Sequence, residues 1–371
     1  VSREPVFVID AAYERMSEAV DKVIAGLGIE GVLSTIKGKK VFIKPNMLGP
    51  YGPERHVCTH PSLVREVVRR FRESGAEVMV GDNPGLSGYG VNERVARKSG
   101  IMEASEGCFY NAASEPRQIQ INSRFFSNMV VSERMLDADY LISLPKMKTH
   151  SLTVLTAALK NMFGILVGGC KSRVHAAASD PKDFGEALVD IYQVRVPDFH
   201  IIDAVVVMEG NGPNAGRLRP AGKLIASGNG LAADMVVSSM MNLEPLRVHH
   251  LRRAAERGLG PNSNSELEII GEAKPLPRFR LPGSIRAPEF ISSLVNRYLY
   301  NPLGQTKLKL DKNRCTACGI CVEHCPTGAM QKGEFPWIDE ERCIRCFCCF
   351  ELCTENAWKI QGLLGRIRGR G

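Results

Sequence analysis

Near the C-terminal end of this 371-residue chain, eight of its twelve cysteines fall into two matching runs: Cys315, Cys318, Cys321 and Cys325 before Pro326, then Cys343, Cys346, Cys349 and Cys353. Three thiols at i, i+3 and i+6 can wrap one loop around three corners of an iron–sulfur cube, with the fourth ligand coming from elsewhere. In two-cluster ferredoxins the last cysteine of each run crosses to the other cluster. That rule assigns Cys315, Cys318, Cys321 and Cys353 to cluster I and Cys343, Cys346, Cys349 and Cys325 to cluster II, both of the [4Fe–4S] type. Tetrahedral zinc and disulfide frameworks also use paired cysteines, but neither explains a duplicated C-x2-C-x2-C run. The second run departs from the first by placing Thr354 where proline is usual and by adding a ninth thiol, Cys348, which could exchange as a ligand.

A second group of residues follows apolar runs upstream. Lys44 and Asn46 follow one, Asp82 another, Lys146, Lys148 and His150 a third, and Glu209 and Asn211 a fourth. In open parallel α/β sheets ligands bind beyond the carboxyl ends of strands. Neighbouring strands would therefore gather lysines, a histidine, carboxylates and amides around one crevice. Lys160 and Asn161, at the end of a helix expected over 152–162, and Lys171 and His175 after a glycine-rich turn form a further set. Lysines beside histidines suit a carboxylate, phosphate or oxyanion, and the histidines could move protons near neutral pH. His56, Cys58 and His60 alternate as metal ligands might be imagined to do, but in extended chain Cys58 points away from both histidines. Neither phosphate-binding glycine fingerprint is present, no serine sits in a nucleophile elbow, and Cys58, Cys108 and Cys170 have no evident partner base.

The elements that must position these residues read as α/β. Buried-strand signals lie at 6–9, 40–45, 77–81, 140–145, 199–208 and 223–227, and their continuous hydrophobicity fits a mainly parallel sheet with flanking helices. Helical segments are expected from Pro61 to Gly75 and over 14–27, 182–194 and 231–241. Around 273–305 the composition turns to proline and arginine. The expected organisation is an α/β domain over 1–272, a basic linker over 273–305 with a short amphipathic helix from Phe290 to Tyr300, a small α+β ferredoxin-like domain over 306–362, and a basic tail over 363–371.

The net charge of +8 is concentrated in that linker and in Arg366, Arg368 and Arg370 of the tail. Such segments are most often solvated surface and a frayed end, and otherwise could dock an acidic protein or contact anionic lipid or RNA; no specific nucleic-acid recognition is expected. No apolar run is long enough for a membrane span, and no secretory signal is visible. The expected compartment is the cytoplasm, where thiols stay reduced, in an oxygen-poor cell.

The segments at 40–46, 59–64, 77–85, 141–150, 156–164 and 205–216 resemble the DUF362 family, whose members often carry a C-terminal pair of ferredoxin-type motifs. Residues 343–357, with the additional Cys348, look like that family's second run. The resemblance implies the architecture and the clusters, but no reaction. From the residues the expected activity is that of a ferredoxin-type oxidoreductase passing electrons between two clusters and a small anionic or carbonyl-bearing ligand. Lys146, Lys148 and Lys160 would hold charge, His150 or His175 would transfer protons, and a redox protein would be the partner. A non-enzymatic electron carrier or adaptor, and an iron–sulfur delivery factor, are the other readings of the same residues.

Overall fold

The computed structural model describes residues 3–85, 90–282 and 307–361. The expected helix Phe290–Tyr300 and the tail lie outside these residues. The strands are β1 (Glu4–Asp10), β2 (Lys40–Pro45), β3 (Glu77–Val80), β4 (Pro116–Gln120), β5 (Asn128–Ser132), β6 (Tyr140–Leu144), β7 (Lys146–His150), β8 (Val154–Thr156), β9 (Phe199–Glu209), β10 (Arg217–Ser227) and β11 (Leu267–Gly271). Nine of them form one mixed, mostly parallel sheet in the order β11-β1-β10-β9-β6-β2-β3, with β7 beside β9 and β8 beside β7. β4 and β5 make a separate antiparallel pair.

Helices cover both faces of the sheet, which is why its strands are apolar on both sides. Phe42, Leu141, Ile202 and Ile225 face the layer that includes helices Pro181–Tyr192 and Gly230–Met240. The alternate residues Val41, Ile43, Ile142, Ile201 and Leu224 face helices Met16–Gly26 and Pro61–Glu73. The expected helices at 61–75, 14–27, 182–194 and 231–241 all form, within a few residues at their ends.

Two expectations fail in the region that matters most. Residues 146–150, read as polar residues that follow the strand at 140–145, themselves form a strand. Pro145, which has no N–H to give to a ladder, only interrupts the line, and β6 and β7 both run parallel to β9. The helix expected over 152–162 is instead the short strand β8 followed by helix Ala158–Asn161. Thr153, Val154 and Thr156 favour strand, and the ring Nδ1 of His150 turns the chain by accepting from Leu152 N at 3.1 Å and Thr153 N at 3.3 Å. Helix Ala158–Asn161 is then fixed by Asp234, whose carboxylate accepts from Ala158 N at 2.6 Å and Leu159 N at 2.9 Å, as expected of an anion at a helix N-terminus.

The cysteine-rich part is built from β12 (Lys307–Leu310) paired with β15 (Trp358–Gln361), β13 (Met330–Gln331) paired with β14 (Trp337–Ile338), and two short helices, Ile320–Glu323 and Cys348–Leu352. Cys321, Met330, Phe347, Phe350 and Trp358 form its own small core. Cys346, Cys348 and Leu352 belong instead to the core of the α/β body. Asn214 reinforces this attachment, its Nδ2 donating to Glu351 O at 2.8 Å and to Tyr51 Oη at 3.0 Å.

Candidate functional site

The parallel strands β2, β3 and β6 end on the same side, and β7 continues past them. A cavity of about 80 Å³ lies there, lined by Asn46, Asp82, Lys148, His150, Lys160, Asn161, Lys171 and His175 of the α/β body together with Cys348, Glu351 and Leu352 of the cysteine-rich part. One water needs roughly 10–15 Å³ of such space, so the cavity suits a ligand of a few heavy atoms.

The three fully buried lysines nearby have different fates. Lys44 is paired with Asp82 at 2.7 Å, and Asp82 also accepts from Met47 N at 2.8 Å. Gly164 lies so close to this pair that a Cβ there would run into both side chains. Lys146 is paired with Asp203 at 2.8 Å and donates to Tyr13 Oη at 3.0 Å, away from the cavity. Its register partner on β9 is Asp203, and an irregularity between Lys146 and Lys148 separates it from the rest of β7. Lys148 has only neutral acceptors, Asn46 Oδ1 and Val57 O, each at 2.7 Å. Among the described residues it has no carboxylate partner. Burial, which penalises the ammonium, brings it down to about 7.

Lys160 and Lys171 are half-buried beside the same space. Burial lowers Lys160, whose Nζ lies 5.5 Å from the Phe163 ring centre. Burial lowers Lys171 to about 7; it donates to the carbonyls of Asn83 and Pro84. Cationic groups therefore face the cavity with less countercharge than they need.

His150 accepts two backbone N–H groups at Nδ1, so its proton sits on Nε2, 3.1 Å from Glu351 Oε1. This arrangement favours neutral imidazole, and burial brings the ring to about 4. Burial alone would raise Glu351, but the His150 ring, Lys160 and His175 bring it down to about 2. His175 stacks on Phe184 with ring centres 4.6 Å apart, and burial lowers it to about 4. Among the described residues its buried Nδ1 has no hydrogen-bond partner. Asn161 donates to Ser143 Oγ at 3.0 Å, leaving its own buried Oδ1 unpartnered.

The structure does not bring all the expected residues together. Glu209 is bound to Arg219 at 3.1 Å and accepts from Arg280 N at 3.2 Å. Asn211 lines a separate hollow with Arg55 and Arg314. The β9–β10 turn carries these residues off to the side, so strand-end position alone did not place them in the crevice. His56 and His60 stack with Tyr13, while the Cys58 thiol donates to Gly49 O at 3.7 Å. Lys171, expected beside His175, does line the cavity, and Glu351 is the addition to the expected set. Glu351 is the acidic residue inside an otherwise apolar and thiol-rich helix, which was the available signal.

None of the twelve cysteines is joined in a disulfide. Burial pushes the Cys321 thiol up, and the nearby thiols of Cys318, Cys353 and Cys315 push it further. Burial also pushes up Cys343 and Cys349, both of which have Cys346 and Cys325 as neighbours. Thiols of both runs therefore lie near one another, chemistry that fits iron–sulfur ligation.

Comparison with known proteins accords with this geometry. Residues 308–331, which contain the whole first run, match a 4Fe-4S binding domain, making this an iron–sulfur protein. A thylakoid-associated protein of Synechocystis sp. is 29% identical over 271 residues, covering 70% of this chain and 83% of the relative. Among solved structures, the lactate racemase apoprotein from Thermoanaerobacterium thermosaccharolyticum is 12% identical with a TM-score of 0.40, over 62% of this chain and 55% of that one. A protein from Thermotoga maritima is 16% identical with a TM-score of 0.39, over 66% of this chain and 59% of that one. Among the described residues, no helix is long and apolar enough to cross a membrane. A model for a domain of unknown function, DUF362, matches residues 41–239, and the chain belongs to that family.

Proposed function

We propose that the protein is a cytoplasmic oxidoreductase that reduces a small anionic or carbonyl-bearing ligand held in the cavity. One observation carries this reading: insufficiently compensated lysines and residues of the second cysteine run line the same cavity. Cys315, Cys318, Cys321 and Cys353 would hold one [4Fe–4S] cluster, and Cys343, Cys346, Cys349 and Cys325 a second. Such clusters, when bound, supply one-electron transfer at potentials set by their surroundings.

The chain's own residues would do the rest. Lys148, Lys160 and Lys171 hold the ligand's negative charge, in a site buried enough for those charges to count. Reduction of a carbonyl to an alcohol consumes two electrons and two protons, with the electrons coming from a partner redox protein. Lys148, near 7, is matched to proton delivery at neutral pH. His150 instead lies against Glu351, with Nε2 3.1 Å from Oε1, and Asn161 and Asn46 orient the ligand and the Lys148 ammonium. The Lys44–Asp82 pair supports the floor beside Gly164.

The reading is tested by purifying the full chain without oxygen, counting iron and sulfide, and identifying any bound small molecule by mass spectrometry. About eight irons, as two four-iron clusters require, together with a bound carboxylate, carbonyl compound or oxyanion would support it. Colourless, iron-free protein would end it. Iron-loaded protein that never retains or turns over such a ligand would favour an electron carrier.

A further inference from the structure

The two cysteine runs repeat one backbone. Ala317 and Arg345 occupy equivalent positions and are both left-handed, at φ 53° and 54°; Gly319 and Phe347 are likewise equivalent, at φ 80° and 62°. In this alignment Cys348 falls where the first run has Ile320. Its thiol is therefore an addition to the four-cysteine pattern. Phe347 adopts an unfavourable conformation for a bulky side chain, and the Sγ atoms of Cys346 and Cys348 on either side of it come close together. A ring nitrogen of His175, from helix Cys170–Ala177 of the α/β body, completes a buried group of three donor atoms, all within 4.8 Å of one another. The unpartnered Nδ1 of His175 is a second, independent sign that this ring lacks something. Both His175 and Cys348 line the cavity.

We infer that His175 and Cys348, with the Cys346 thiolate shared, form a mononuclear site for a divalent metal ion of the zinc class at the cavity wall. One imidazole and two thiolates match the ligand preference of such ions. Three protein ligands leave a coordination position free, as metal sites that bind exogenous ligands do, and here that position would open towards Lys148 and Lys160. A histidine from the α/β body and a cysteine from the second run would then clasp one ion, tying the two parts together at the ligand. The inference rests on the cluster reading only through Cys346, which would serve two metals.

The test uses the full chain, loaded anaerobically with iron and sulfide, dialysed against micromolar Zn2+ and then against metal-free buffer. Iron and zinc are counted, and the zinc ligands are read by X-ray absorption. The expected result is about one zinc beyond the full iron complement, bound by mixed nitrogen and sulfur ligands. Cys348→Ser and His175→Asn should each weaken zinc binding at least about 100-fold, with iron unchanged. Thermal melting identifies a variant that has not folded, in which case Cys348→Ala replaces it. The inference is overturned if wild-type protein retains no zinc, if zinc enters only as iron leaves, if both variants keep it, or if Cys348→Ser loses iron. An iron count far below two clusters in wild-type protein would instead strike the cluster reading itself.

Discussion

The first cysteine run is the more exposed of the two, and the second is packed deeper into the α/β body. Cys318 is exposed and Cys315 and Cys325 are partly so, around a small core of the cysteine-rich part alone. Cys346 and Cys348 are buried in the core of the α/β body, and the helix that follows them carries Glu351 to 3.1 Å from His150. The same spacing on the same backbone thus leaves an exposed thiol in one copy and sets two thiols into the α/β core in the other, while His324 of the first run and Cys348 of the second both line the cavity. Under the proposed function the more exposed run is the port for a partner redox protein, and the deeper run is the port for the ligand.

The strongest way to break this comparison is to remove one thiol from each run. Cys346→Ser and Cys318→Ser should each cost about half of the iron, because four thiolates hold each cluster. Only Cys346→Ser should also lower the melting temperature of the α/β body by several degrees, since that thiol is part of its core. Calorimetry with iron counting would show whether the two runs differ in this way.

Next in size is the effect of Lys148→Met. Removing a buried ammonium without a carboxylate partner should leave the ligand-free protein as stable as before, or more so. Affinity for small anions should fall about 100-fold, or about 2.7 kcal/mol. Equal binding by variant and wild type would place the ligand's charge elsewhere.

The same lysine gives the protein a pH signature. Its folded-state value is held down near 7 against an ordinary 10.5. Between these values the unfolded chain binds a proton that the folded chain does not, so stability rises with pH across that window and is lost again towards pH 7. The slope from one such group is at most about 1.4 kcal/mol per pH unit. Chemical denaturation from pH 7 to 10 should show the rise, and Lys148→Met should flatten it.

The smallest expected effect is that of Asn214→Ala. This change removes hydrogen bonds joining the second run to the α/β body and should cost about 1 kcal/mol. Hydrogen exchange should rise in helix Cys348–Leu352 and stay unchanged in Ile320–Glu323.

The cysteine spacing and the strand ends were legible in the sequence because both are short-range patterns. Lys44, Asn46, Asp82, Lys148 and His150 converge because β2, β3 and β6 run parallel and end on one side, where β7 continues the line of β6. What could not be read depended on contacts across the chain. Lys146 looked equivalent to Lys148 until Asp203, more than fifty residues on, claimed it. Glu209 looked like a strand-end carboxylate until Arg219 neutralised it. Glu351 and Cys348 join the cavity only because the second run is packed into the body, an attachment that no local periodicity encodes.

The most direct test of the account is electron paramagnetic resonance of the anaerobically loaded, chemically reduced full chain, with and without millimolar formate, acetate, glyoxylate or phosphate. The account predicts that at least one of these anions shifts the signal that Cys346→Ser removes, leaves the signal that Cys318→Ser removes unchanged, and loses its effect in Lys148→Met. Identical spectra with and without all four anions, or an equal shift of both signals, would contradict it.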